Sequence, residues 1–155
     1  MAVATEEEGF MNILIAVDGS KFSDAAVQEL IESHHETAHI RVLNVIEPLP
    51  VVESWAYAVD WPQLLEDQRK EAESFVTAAA QRLRNAGFND VTTAVEEGIA
   101  KSVLVEAATN WPADLVMMGS HGRRGLAHFL MGSVSEGVSR FAPCSVEIVR
   151  KRLAA

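Results

Sequence analysis

The chain has 155 residues, enough for one compact domain and too few for two ordinary ones. Hydrophobic residues make up 48% and charged residues 23%, which excludes a disordered chain, and the net charge of -9 opposes non-specific attraction to a phosphate backbone, so no nucleic-acid partner is expected. The single cysteine, Cys144, excludes an internal disulfide and a thiolate zinc cage and suits a reducing compartment.

Residues 1–10 carry Glu6, Glu7 and Glu8 and no apolar periodicity, so they read as a disordered, solvated leader ahead of one domain over residues 11–152. A secretory signal would need a basic start and an apolar stretch, and the apolar runs fall far short of the ~20 residues that cross a bilayer. A cytoplasmic protein with no membrane partner is the expectation.

Asn12-Ile-Leu-Ile-Ala-Val17 is an aliphatic run closed by Asp18-Gly19-Ser20, the pattern of a strand buried on both faces and followed by a turn. Ala26, Val27, Leu30 and Ile31 then repeat at helical spacing, with Ser20 or Ser23 as the cap. Ile40 to Ile46 reads as the second strand, and Leu64, Leu65, Gln68, Ala72, Phe75, Val76, Ala79 and Leu83 mark a long helix ended by Gly87. Between them, Pro48 to Pro62 is long for a connection and holds Trp55, Tyr57 and Trp61, which either cover a ligand or seal a core edge. Val91 to Val95 is a weaker third strand, Val103, Leu104, Ala107 and Ala108 line a third helix, and Asp114 to Met118 is a fourth strand. A helix from about Ser133 to Arg140 and a strand from Ser145 to Val149 complete the chain. Five strands alternating with four helices predict an α/β domain, a parallel sheet with helices on both faces.

Ligands of such sheets bind beyond the carboxyl ends of the strands, where strand order reverses. The richest of those loops is Gly119-Ser-His-Gly122-Arg-Arg-Gly125-Leu-Ala-His-Phe-Leu-Met-Gly132-Ser133. Its glycines let backbone N–H groups approach phosphate oxygens, and Ser133 with Glu136 matches a capping box that starts a helix aimed at the loop. In an acidic chain this segment has Arg123 and Arg124 and no acidic residue. Glycines that serve only tight turns, and a serine that only caps, would leave the same letters.

Gly119-x-x-Gly122, nine residues, then Gly132-Ser133 resembles the ATP-binding signature of the universal stress protein family. Ile13-Leu-Ile-Ala-Val-Asp-Gly-Ser20, Met118-Gly-Ser-His-Gly-Arg-Arg-Gly125 and Pro143-Cys-Ser-Val146 are similar to it as well. The resemblance implies a sheet ordered 3-2-1-4-5, a Rossmann-like fold and a homodimer. It places Ala16, Val17 and Asp18 beside adenine and ribose, Val45 against adenine and Gly98 near the nucleoside. Gly119, Gly122, Gly132, Ser133, Val134 and Ser135 would face ribose and phosphates, with ATP, AMP or another adenine nucleotide as ligand and Mg2+ on the phosphates.

Asp18 either hydrogen-bonds ribose or caps the following helix. His121 approaches phosphate, acts as a base, or is an exposed loop imidazole. His34, His35 and His39 gather near the end of the first helix, where positive charge suits the dipole and a metal is a remote alternative. The phosphate loop Gly-x-x-x-x-Gly-Lys-Ser/Thr, the dinucleotide fingerprint and a metalloprotease helix are all missing, and no catalytic residue or protein metal ligand can be assigned. Three functions remain: a nucleotide-dependent stress regulator, a slow ATPase or self-phosphorylating protein using Ser133 or Ser135, and a nucleotide-free dimeric interaction module. An edge position for the last strand would join two copies through Val146, Ile148 and Val149.

Overall fold

A computed structural model describes residues 9–33, 37–50, 53, 56–123 and 131–150. The strands are β1 (Asn12–Ala16), β2 (His39–Ile46), β3 (Asp90–Glu97), β4 (Leu115–Gly119) and β5 (Ser145–Val149). The helices are α1 (Lys21–Ser33), α2 (Trp61–Asn85), α3 (Ala100–Asn110) and α4 (Ser133–Phe141). All pairings are parallel and the order is β3-β2-β1-β4-β5, the five strands and four helices that the pattern implies.

The aliphatic runs explain which strands are central. Ile13, Leu14 and Ile15 of β1 are fully buried, and alternate side chains divide between two cores. Ile13 and Ile15 join Ala26, Val27 and Leu30 of α1 and Val76, Ala80 and Leu83 of α2 on one face. Leu14 meets Leu43, Leu104 and Ala108 of α3, Val116 and Val138 of α4 on the other. At roughly 2 kcal/mol for each large aliphatic side chain removed from water, these two layers dominate the folding energy. β3 runs eight residues, longer than its sparse apolar content suggests, because as an edge strand it carries Thr92, Thr93, Glu96 and Glu97 on exposed positions.

Local chemistry sets the helix starts. Ser20, and not Ser23, caps α1: the Ser23 N–H donates to Ser20 Oγ at 3.1 Å, while Ser23 Oγ returns a bond to the Ser20 carbonyl. Asp60 caps α2, its Oδ1 accepting from Gln63 N–H, with Pro62 in the first turn. α2 ends at Asn85, and Gly87 follows with φ 108, the left-handed conformation for which the sequence supplies glycine. Leu65, read as part of the packed face of α2, is exposed.

Several sequence readings are corrected here. His39 does not lie with the end of α1: it opens β2, its Nδ1 bonded to the Asp90 carboxylate across the sheet and its ring against Phe10. His34 and His35 lie outside the described residues, as do Trp55 and residues 1–8 of the leader. Of the remaining aromatics in the long connection, Tyr57 is fully exposed and seals no core edge, whereas Trp61 opens α2 and donates Nε1–H to the Ala56 carbonyl. No described helix is long and apolar enough to cross a membrane.

Cys144 precedes β5 and packs against the core shared with α3 and α4. Burial pushes its thiol pKa up, the Asp114 carboxylate adds to the rise, and a hydrogen bond with the Val116 backbone offsets part of it. Since only the thiolate is nucleophilic, iodoacetamide at pH 7.5 should label Cys144 in the folded protein more slowly than an ordinary thiol of pKa about 8.5. Urea should restore the ordinary rate, and equal rates in both states would refute the assignment.

Candidate functional site

The strand order reverses between β1 and β4, so their outgoing loops separate and open a crevice at the carboxyl end of the sheet. Asp18 spans it. Its Oδ1 accepts from Ser20 N–H at 2.9 Å within its own loop, and its Oδ2 accepts from Arg123 N–H at 3.2 Å in the loop after β4. The carboxylate therefore organises both walls of the crevice, and Ser20, not Asp18, caps α1.

The other proposed nucleoside residues separate by face. Ala16 and Val45 pack with the α3 and α4 core, whereas the Val17 side chain is buried on the α1 and α2 side. The Val17 backbone is also committed, its N–H to the Leu43 carbonyl and its carbonyl to Asn44 Nδ2. Ala16 and Val45 thus share a wall that Val17 does not reach with its side chain. Gly98 closes the same side: its φ is 145, a Cβ there would lie 2.8 Å from Val103 Cγ2, and its N–H donates to the Ile46 carbonyl.

β4 ends at Gly119, where a Cβ would stand 2.6–2.7 Å from the Phe22 backbone and Cβ; this glycine lets the first turn of α1 lie on the strand. Gly122 faces Asp18, whose Oδ2 would be 3.0 Å from an added Cβ. The Ser120 carbonyl accepts from Gly132 N–H at 2.8 Å and Ser135 Oγ–H at 2.9 Å, bringing the start of α4 beside the end of β4. Gly119, Gly122, Gly132, Ser133, Val134 and Ser135 are thereby assembled around one end of the crevice. Arg124 and Gly125 lie outside the described residues.

The details of this corner differ from the sequence pattern in three respects. The capping box is not made: Gly132 is the N-cap, Ser133 is the first helical residue, and no side chain among the described residues caps α4. Gly132 is not selected for positive φ, since its φ is -77; a Cβ would instead lie 3.1 Å from the Ser120 carbonyl oxygen. His121 is neither an exposed imidazole nor a base with an acid partner. It is 8% exposed, packed 5.1 Å from the Phe22 ring centroid, with Nδ1 on Ser120 Oγ and Nε2 without a partner among the described residues.

Three residues shape the crevice through contacts that sequence reasoning did not assign, although Glu47 and Ser120 lie in the strand-end loops it selects. Asn44, buried at 6% exposure, anchors the end of β1 through the Val17 carbonyl; its one signal was an amide within an aliphatic strand. Glu47 reaches from the end of β2 and accepts from Ala100 N–H at 3.0 Å, capping α3 in place of Ile99. Ser120 joins β4, β5 and α4, its own N–H donating to the Val149 carbonyl. Together these caps leave a pattern: α1, α2 and α3 each begin on a side-chain oxygen, and α4 does not. Among the described residues no group of three His, Cys, Asp or Glu could hold a metal ion.

Comparison with known proteins gives the lineage of this arrangement. The universal stress protein family model matches residues 9–150, and a putative universal stress protein of Staphylococcus aureus strain USA300 is 35% identical over 143 residues, covering 91% of this chain and 84% of that protein. The chain belongs to the universal stress protein family. Universal stress protein UspA from Lactobacillus plantarum has the same fold, with a TM-score of 0.77 at 24% identity, covering 91% of this chain and 98% of that one. A family member from Arabidopsis thaliana, solved with AMP bound, superposes with a TM-score of 0.68 at 15% identity, covering 92% of each chain.

Gly119 gives a test of how the fold builds this corner. Gly119→Ala should lower stability by about 1–3 kcal/mol, because its methyl meets helix backbone that cannot rotate away. Gly9→Ala, with nothing within 4 Å of the added Cβ, should leave the urea midpoint unchanged. Equal midpoints for both variants would refute the packing argument.

Proposed function

We propose that this universal stress protein binds an adenine nucleotide, ATP in the first instance, in the crevice between the β1 and β4 loops, and acts as a nucleotide-dependent regulator of a stress response. The observation that carries the reading is the uncapped N-terminus of α4. The first N–H groups of an α-helix have no intrahelical acceptor, and together with the macrodipole they favour an anion. α1 to α3 meet this demand in part with Ser20, Asp60 and Glu47; α4 presents Ser133, Val134 and Ser135 with no side-chain cap among the described residues. The signature glycines, and the Arabidopsis relative solved with AMP bound, support an adenine nucleotide as the ligand. Ala16, Val45 and Gly98 form the wall for adenine, and Asp18 keeps acceptor capacity for ribose hydroxyls.

Mg2+ enters in this reading with the triphosphate, as the counter-ion of its oxygens. Of the two serines considered as phosphoryl acceptors, Ser135 is buried and donates to the Ser120 and Gly132 carbonyls, whereas Ser133 is exposed. Self-phosphorylation, as the secondary reading, is therefore assigned to Ser133 alone.

Calorimetric titration with Mg-ATP tests the site. Ser133→Ala should leave the melting temperature unchanged, since the hydroxyl caps nothing, and weaken ATP by about tenfold or less. Gly132→Val should weaken binding far more, because its side chain forces the start of α4 away from Ser120. Gly132→Val that remains folded and binds like the wild type would overturn the placement of the phosphates at α4, and a wild type that binds no nucleotide would favour a nucleotide-free module.

The same proposal includes a homodimer through β5. This strand ends the sheet, and among the described residues no strand pairs with its outer edge. A second copy added antiparallel about a two-fold axis would satisfy that edge through Val146, Ile148 and Val149. Sedimentation at micromolar concentration should show a dimer, and Ile148→Pro, with its helicity retained, should shift it to monomer. A wild-type monomer would refute the dimer and leave the nucleotide site untouched.

A further inference from the structure

The loop after β4 carries a second feature that the backbone cradle does not use. Of the described residues between Gly119 and Ser133, Arg123 is the one cation, and its guanidinium is bound to α2. Nη1 and Nη2 donate to the two Glu71 carboxylate oxygens at 3.3 and 3.1 Å. The guanidinium carbon also lies 5.2 Å from the centroid of Phe75. Phe75 in turn lies against Gly19, where an added Cβ would be 2.4 Å from its ring, so the guanidinium sits at the rim of the β1 loop. The Arg123 backbone N–H is held by Asp18, which fixes the base of the side chain at the crevice.

We propose that Arg123 is a specificity-determining residue that recognises the distal phosphates of the ligand, and that Glu71 competes for it in the free protein. The proposal rests on the adenine-nucleotide reading above. An arginine fork that matches a carboxylate in two parallel bonds matches a phosphate in the same way. Both partners of the present pair are about half exposed, 54% and 49%, and an ion pair in that setting is only weakly held. A triphosphate brings several charges to a site whose helix terminus already favours them, so it is the stronger competitor. The exchange needs rotation about the Arg123 side chain alone, because Asp18 retains the backbone. Nucleosides have no group to offer the fork and leave the Glu71 pair intact, so affinity should rise with the number of phosphates.

The test is a double-mutant cycle read with two ligands, Mg-ATP and adenosine, by calorimetry on the full chain. Arg123→Gln should weaken ATP by about tenfold and change adenosine by less than about twofold. Glu71→Ala should tighten ATP by about two- to fivefold, without effect on adenosine, and should have no effect on ATP once Arg123 is glutamine. The ATP affinity of the wild type should fall with added salt more steeply than that of Arg123→Gln. The proposal is overturned if Glu71→Ala leaves ATP affinity unchanged, if either substitution shifts both ligands alike, or if the Glu71 effect survives in Arg123→Gln. Wild-type protein that binds adenosine as tightly as ATP overturns the phosphate assignment while the adenine site stands; binding of neither ligand overturns the nucleotide reading itself.

Discussion

The Ser120 carbonyl holds the corner on which the rest of the site depends. It accepts from both Gly132 N–H and Ser135 Oγ–H, while the Ser120 N–H donates to Val149. One residue, 3% exposed, thus joins the ends of β4 and β5 to the beginning of α4. Each bond adds only about 1 kcal/mol net, but a buried donor left without its acceptor costs about 1–3 kcal/mol, so the three hold or fail together. The close approach they require explains the glycine at position 132 without any appeal to unusual backbone angles.

Electrostatics then divides the helices into two kinds. Ser20, Asp60 and Glu47 place a side-chain oxygen at three helix starts, and the start of α4 has none among the described residues. Asp18 works in the opposite sense, as a negative group between two loops whose backbone N–H donors would otherwise face the crevice unpaired. A site with a carboxylate at its centre and a bare helix terminus at one end suits a ligand that is polar and hydroxylated in one part and anionic in another.

The sheet was legible because its signal is local. Aliphatic runs at Ile13–Val17 and Leu115–Met118 mark buried parallel strands, and helical spacing around Ala26, Val76 and Leu104 marks the covering helices. Where the reading failed, the deciding contact was remote in sequence. The Ser133 and Glu136 pair looked like a capping box, but Ser120 draws Gly132 into the cap position. His121 looked solvent-exposed because nothing nearby in sequence shows that Phe22 lies over it. Glu47 capping α3, 53 residues away, leaves no trace in the α3 segment itself. Gly119 was recognised as a signature glycine, yet its packing reason, the backbone of Phe22, lies on another helix.

The Asp18 bridge to Arg123 joins positions 105 residues apart, and β4 reaches β1 only after β2 and β3 have been made. During synthesis, the first loop of the crevice therefore leaves the ribosome long before the second. A nascent chain can form the β1-β2-β3 half of the sheet and still have no site, because the inner edge of β1 waits for β4. The crevice is in this way completed only in chains that have made their least local pairing.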